Sequence, residues 1–151
     1  MLRKTIGRIW KLMPPAMRVA VVRTTQTKFT VSVAVVVVNE RQEVLLLDHV
    51  LRPRSGWGFP GGFLDAGEQI LDALKREVRE EIGIELENLQ FKRSRTFRRH
   101  IEVLYTASPV GTPEVLSREI YQIKWFAPNR LPSGIDRDTR KTILDVLGQP
   151  V

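Results

Sequence analysis

Three glutamates, Glu77, Glu80 and Glu81, crowd into little more than one turn of "DALKREVREEIG". Residues three and four apart are neighbours on a helix, so Glu77 lies beside both of the others, and each like-charged pair costs about 0.2–0.5 kcal/mol. Two arrangements would justify that cost: a solvated face, or a cation held between the carboxylates. With Ile70 at the centre of one face, Leu74, Val78 and Ile82 spread round the stripe that should meet a sheet. Glu77 and Glu81 fall beside Ile70, Glu80 lies just further round, and Lys75 and Arg79 point away. The acids thus stand at the edge of the buried stripe. Half-buried neighbouring carboxylates protonate unless a cation compensates them. A hard divalent ion such as Mg²⁺ does so, taking a few carboxylates, waters and substrate phosphates.

Other ligand chemistries are poorly supplied. With no cysteine, thiolate catalysis, disulfides and cysteine-held metals are excluded. The two histidines, His49 and His100, suffice for one auxiliary role at most. Upstream of the acidic segment, "GWGFPGG" offers four glycines that let a backbone approach a ligand, with Pro60 stiffening the turn. Trp57 could stack on a base or fill a loop core. Arg52 and Arg54 precede it, and Arg93, Arg95, Arg98 and Arg99 follow in a strand-like region. Alternation puts Arg93, Arg95 and Arg99 on one side and Arg98 on the other. Such a row either meets substrate phosphates or is a solvated basic strand. Arg52, and after it Arg95, are the candidates for substrate binding.

The elements that must position these groups are legible from periodicity. "FTVSVAVVVV" is a near-continuous β-branched run, expected as a central strand covered on both faces, and "EVLLLDH" follows after the turn "NERQ". A helix is expected from Glu68 to Ile82, ended by Gly83. The strand-like runs "LQFKRSRTF", "HIEVLYTAS" and "IYQIKWFA" come next, and "DTRKTILDVLG" closes the chain as a helix. The order predicts an α/β fold, a mixed β-sheet between helices.

Spacing then carries a resemblance. Gly62, five residues, Glu68, seven residues, Arg76-Glu77-Val78, one residue, Glu80-Glu81, one residue and Gly83-Ile84 resemble the signature of the Nudix hydrolases at every fixed position. The resemblance implies an α/β/α sandwich and a hydrolase that cleaves the pyrophosphate of a nucleoside diphosphate linked to another moiety. It implies Mg²⁺, with Mn²⁺ as a substitute, held by Glu77, Glu80, Glu81 and the carbonyl of Gly61. Arg76 and Glu68 would orient the helix. Asp65 and Glu68 also form a D-x-x-E pattern like a capping box, compatible with that role. The general base is a helix glutamate, Glu77 or Glu81, or a later one, for which Glu119 in "LSREIYQIKWF" is the candidate ahead of Glu114 and Glu102.

The same resemblance leaves the substrate open. The proline associated with ADP-ribose hydrolases and the tyrosine associated with dinucleoside polyphosphate hydrolases are missing from the stretch around "RRHI". The upstream coenzyme A pattern does not match "LLLDHVLRPRSGWGFPGG". A small nucleotide such as a nucleoside triphosphate or nucleotide sugar is expected. The alternatives are RNA 5′ ends and a non-catalytic nucleotide sensor on the same fold.

Charge marks one further boundary. Of 24 basic residues, Arg3, Lys4, Arg8, Lys11, Arg18, Arg23 and Lys28 precede the first acid, Glu40, leaving 17 to balance 17 acids. Residues 1–28 therefore read as a basic, partly helical arm and 29–151 as the hydrolase domain. Ile6, Ile9, Trp10 and Met13 have helical spacing before the Pro14-Pro15 break, suiting a helix packed on the domain or an arm that touches a membrane surface or RNA. The longest apolar run, Val31 to Val38, is eight residues, too short to span a bilayer. A cytoplasmic protein without a transmembrane segment is expected, with a homodimer open.

Overall fold

The computed structural model describes residues 2–52 and 55–149. Arg54 lies outside them. In chain order the elements are α1 (Leu2–Leu12), α2 (Pro15–Thr25), β1 (Thr30–Val37), β2 (Val44–His49), β3 (Trp57–Gly58), β4 (Gly61–Phe63), α3 (Ile70–Ile82), β5 (Glu85–Phe97), β6 (His100–Val110), β7 (Ile120–Phe126), a short 3₁₀ turn at Pro128–Arg130 and α4 (Arg137–Val146).

The strands form two sheets. In the first, ordered β4-β1-β6-β5, β1 runs parallel to β6 and antiparallel to β4, while β5 and β6 make a long antiparallel hairpin. The second, ordered β3-β2-β7, is antiparallel throughout. The chain crosses between them at the Asn39–Glu43 turn. There the Asn39 side-chain oxygen accepts the N–H groups of Arg41 and Glu43, both at 2.9 Å, and a single bridge joins Val38 to Val44.

β1 is the central strand its composition predicts. Val33, Val35 and Val37 pack with Ala73, Leu74, Val78 and Ile82 of α3, whereas Val36, with Leu46 and Leu104, packs with Ile143 of α4. Because side chains alternate along a strand, one valine-rich segment supplies two cores and holds the two helices on opposite faces. This is the α/β/α sandwich.

Three details differ from the sequence expectations. α3 begins at Ile70, not Glu68. The segment before it is a turn closed by the Glu68 N–H to Asp65 carbonyl bond at 3.1 Å, and Glu68 directs its carboxylate back onto the Asp65 N–H at 3.0 Å. β5 ends at Phe97, so Arg98 and Arg99 form the hairpin turn and do not continue the alternation. Arg98 adopts φ 54° and lays its guanidinium 5.5 Å from the Phe97 ring centre. Finally, α1 and α2 do form, separated at Pro14-Pro15, but α2 buries none of its residues, and Ile6 and Ile9 of α1 remain exposed. The arm is not packed into the domain core.

Candidate active site

Position along α3 decides the fate of each carboxylate. Ala73, Leu74, Val78 and Ile82 are fully buried against the sheet. Glu81, next to Ile82, is carried in with them and is 8% exposed, while Glu80, one step further round, keeps a side chain 60% exposed. Glu77 is half-buried. Glu80 lies furthest out, as the helical wheel predicts.

The glycine turn meets these acids from the edge of the sheet. Gly61 presents its N–H to Glu81 Oε2 at 3.0 Å, so its amide is the group seen to reach the acid. Gly61 holds φ 141°, and a Cβ there would stand 2.1 Å from the Val33 carbonyl oxygen. At Gly62 a Cβ would fall 2.3 Å from the Glu77 carboxyl carbon. Only glycine allows the carboxylates and β4 to come this close.

Arg76 organises the solvent side. Its guanidinium grips Glu68 through two bonds of 2.9 and 3.0 Å, donates to the Phe63 carbonyl at 3.2 Å, and uses Nη1 on both Glu77, at 2.9 Å, and Glu80, at 3.4 Å. The bond from Arg76 holds the Glu68 carboxyl down at about 2. Glu68 thus closes the turn and pairs with Arg76 at once. Among the described residues no three His, Asp or Glu side chains converge on one point as a finished ligand set. Arg76 Nη1 lies instead between Glu77 and Glu80.

Glu81 carries the chemical tension. Burial pushes its carboxyl up to about 8; the Gly61 N–H opposes that rise, and the charges of Glu77, Glu119 and Glu80 add to it. A carboxyl raised by desolvation and by three neighbouring acids is one whose anion a nearby cation would stabilise. The donor set is oxygen only and suits a hard divalent ion.

Glu119 reaches this neighbourhood through the end of α3. Gly83 stops the helix in the left-handed conformation at φ 70°. The loop after β6 then satisfies the last carbonyls: the Glu114 N–H donates to Ile82 O and the Leu116 N–H to Glu81 O, both at 3.0 Å. Glu119 follows, exposed, its own carbonyl taken by the Val50 N–H at 2.8 Å. Its carboxylate has no hydrogen-bond or ion-pair partner among the described residues.

His49, at the end of β2, was not singled out for a role by spacing. Its Nδ1 lies 4.0 Å from Glu81 Oε1, its buried Nε2 has no hydrogen-bond partner among the described residues, and burial followed by the charge of Arg52 lowers its pKa. The only signal available in the sequence was a lone histidine ending an apolar strand.

The three substrate-binding candidates fare differently. Arg52 lays its guanidinium over Gly58, where a Cβ would meet Nη1 at 1.3 Å, and stands 3.8 Å from Asp136. Trp57 is half-buried with its ring edge-on to Phe126, 5.0 Å between centres, as a loop-core aromatic would be. Arg95 sits on the α4 face, paired with Glu102 at 2.8 Å and with Asp138, which also takes Arg93. The carboxylates of α3 belong to the opposite face, so the structure does not bring Arg95 to them.

Comparison with known proteins gives the family. The family model described as the NUDIX domain matches residues 28–146. The 8-oxo-dGDP phosphatase NUDT18 of Homo sapiens is 33% identical over 110 residues, covering 68% of this chain and 34% of that protein. The RNA pyrophosphohydrolase of Ruthia magnifica is 39% identical over 61 residues, covering 40% of this chain and 33% of that protein. A solved MutT NUDIX hydrolase from Burkholderia pseudomallei superposes with a TM-score of 0.70 at 27% identity, covering 79% of this chain and 98% of that one. The chain belongs to the Nudix family, with the fold that goes with it. It spans about a third of the length of the curated relatives it matches.

Proposed function

We propose that this chain is a divalent-metal-dependent pyrophosphohydrolase that cleaves a nucleoside diphosphate linked to another moiety, with a small nucleotide as substrate. The observation that carries the proposal is Glu81: a carboxyl buried beside two other helix acids and a loop acid, against a glycine amide, is costly for a scaffold and useful for holding a cation. Glu77, Glu80 and Glu81 would hold Mg²⁺, or Mn²⁺ in its place. A bound divalent ion neutralises the phosphate oxygens that repel an incoming nucleophile and lowers the pKa of water.

The chain's own residues supply the rest. Arg76, fixed by Glu68, holds Glu77 against the Gly61-Gly62 edge and shares its Nη1 with Glu80. Glu119, whose carboxylate is unpaired among the described residues, takes the proton from water as its oxygen bonds to phosphorus. The bond from that phosphorus to the bridging oxygen breaks, and the bridging oxygen leaves on the second phosphate. Arg52 faces the departing phosphates across the glycine loop, balanced until then by Asp136. The absence of cysteine fits a reducing compartment, and we assign the activity to the cytoplasm.

The test is product-mass analysis after incubation with nucleoside triphosphates, oxidised nucleoside diphosphates, nucleotide sugars, dinucleotides and 5′-triphosphate RNA, with and without Mg²⁺. Metal-dependent release of a nucleoside monophosphate from a small substrate supports the proposal. Silence across the panel with metal binding intact would favour a sensor. The likeness to an RNA pyrophosphohydrolase keeps RNA ends as a second reading, for which turnover would fall steeply with added salt.

A further inference from the structure

We propose that the arm formed by α1 and α2 docks the protein on an anionic membrane surface. α1 carries two complete faces. On a helix of 3.6 residues per turn, Ile6, Ile9, Trp10 and Met13 fall within an arc of about 100°, while Lys4, Gly7, Arg8 and Lys11 occupy the opposite side. The apolar face is largely open: Ile6 is 58% and Ile9 54% exposed, Trp10 is exposed at the recess it shares with α2, and Met13 is half-buried. A helix that docks on its own domain would bury this stripe, as α3 does.

α2 extends the same surface. It buries no residue, exposes Met17, Val19, Val21 and Val22, and forms with α1 a recess of about 540 Å³ lined by Trp10, Pro15, Arg18, Val19, Val22 and Arg23. Apolar surface rimmed by arginine matches the boundary between acyl chains and headgroups, where Trp is also favoured.

Charge selects the partner. No acid occurs before Glu40, whereas seven basic residues do. Arg3 and Lys4 stand in the first turn of α1, where the helix dipole disfavours cations, so their presence does not serve the helix itself. A soluble polyanion such as RNA would satisfy the basic face and leave Ile6, Ile9 and Leu12 in water. An anionic bilayer satisfies both faces at once. Its apolar burial would also stabilise α1, whose 11 residues are short for a helix standing alone in water.

The test is sedimentation of the full chain with phosphatidylcholine vesicles, with or without 30% phosphatidylglycerol, together with far-ultraviolet circular dichroism. Binding is expected only with the anionic lipid, accompanied by a gain in helicity. Either the pair Ile9→Ser and Trp10→Ser or the pair Arg8→Glu and Lys11→Glu should weaken it at least tenfold without changing the thermal midpoint of the domain. The proposal is overturned by absence of binding to anionic vesicles at low salt. It is equally overturned if the Ile9→Ser and Trp10→Ser pair leaves binding intact while single-stranded RNA competes fully, which would make the arm a polyanion-binding segment. A concentration-dependent dimer that loses its stability with the same pair and does not bind vesicles would assign the surface to a second copy.

Discussion

α1 and α3 are both amphipathic helices of similar length, yet the molecule treats them in opposite ways. α3 has its apolar stripe sealed by β1 and its charged rim tied into a network with Arg76, Glu68 and the Gly61-Gly62 edge. α1 presents its apolar stripe to solvent and carries cations with no acid among them. A periodic apolar pattern therefore establishes that a helix has something to bury, not that its own domain buries it. Charge at the edge of the stripe makes the distinction. Acids brought to a buried edge concentrate negative potential for a cation, whereas cations around an exposed stripe suit a surface of anions.

The sharpest way to break this comparison lies at Glu81. Glu81→Gln keeps the shape and the hydrogen bond from Gly61 while removing the charge, and turnover with Mg²⁺ should fall about 10³-fold as the electrostatic centre is lost. The fold should survive, as read from an unchanged circular dichroism spectrum. Near wild-type turnover would remove the metal assignment. On the packed side of the same helix, Leu74→Ala should cost about 3 kcal/mol in urea denaturation, because Leu74 is fully buried between α3 and β1.

Glu119 separates positioning from proton transfer. Glu119→Gln should lower kcat about 10²-fold and leave Mg²⁺ affinity, measured calorimetrically, within about twofold. An unchanged rate would return the proton to a helix glutamate. A large loss of metal affinity would make Glu119 a ligand.

The same carboxyl also sets a pH effect on stability. In the folded protein burial pushes the Glu81 carboxyl up to about 8 from its ordinary 4.5. Between these values the folded protein retains a proton that the unfolded chain has released, so stability must fall as pH rises from about 4.5 to about 8. Without divalent metal the contribution of this group should be on the order of 5 kcal/mol over that window. Glu81→Gln should flatten it, and added Mg²⁺ should restore the wild-type protein at pH 8. A wild-type profile already flat without metal would mean that Glu81 is better solvated than its burial suggests.

These features were unequally visible in the sequence. The central strand, the acidic helix and the outward place of Glu80 follow from periods of 2 and 3.6, which act locally. Glu68 and Arg76 were legible as a pair only through the resemblance to the Nudix signature. The partners of Arg95, Glu102 and Asp138, were not legible because they come from other elements: register across β5 and β6 and the packing of α4 decide them. The same limit hid His49, which approaches Glu81 only after β2 and α3 meet through the sheet. Arg98 and Arg99 escaped the alternation because two residues were needed to turn the hairpin.

The smallest effect is the most direct check on α1. Ile9→Ala removes as much apolar side chain as many core substitutions, yet Ile9 is 54% exposed and contributes to no buried cluster among the described residues. In the absence of lipid the change should alter unfolding free energy by less than about 0.5 kcal/mol, the range of ordinary surface substitutions, and turnover of a soluble nucleotide by less than about twofold. Leu74→Ala measured beside it supplies the contrast, since both changes shorten an aliphatic side chain on an amphipathic helix. If Ile9→Ala proved as costly as Leu74→Ala, α1 would have to be packed in solution, against its own domain or a second chain, and its stripe would no longer be free for a membrane. If the two differ by several-fold, the exposed stripe is maintained at no benefit to the fold, and its purpose must lie outside the domain.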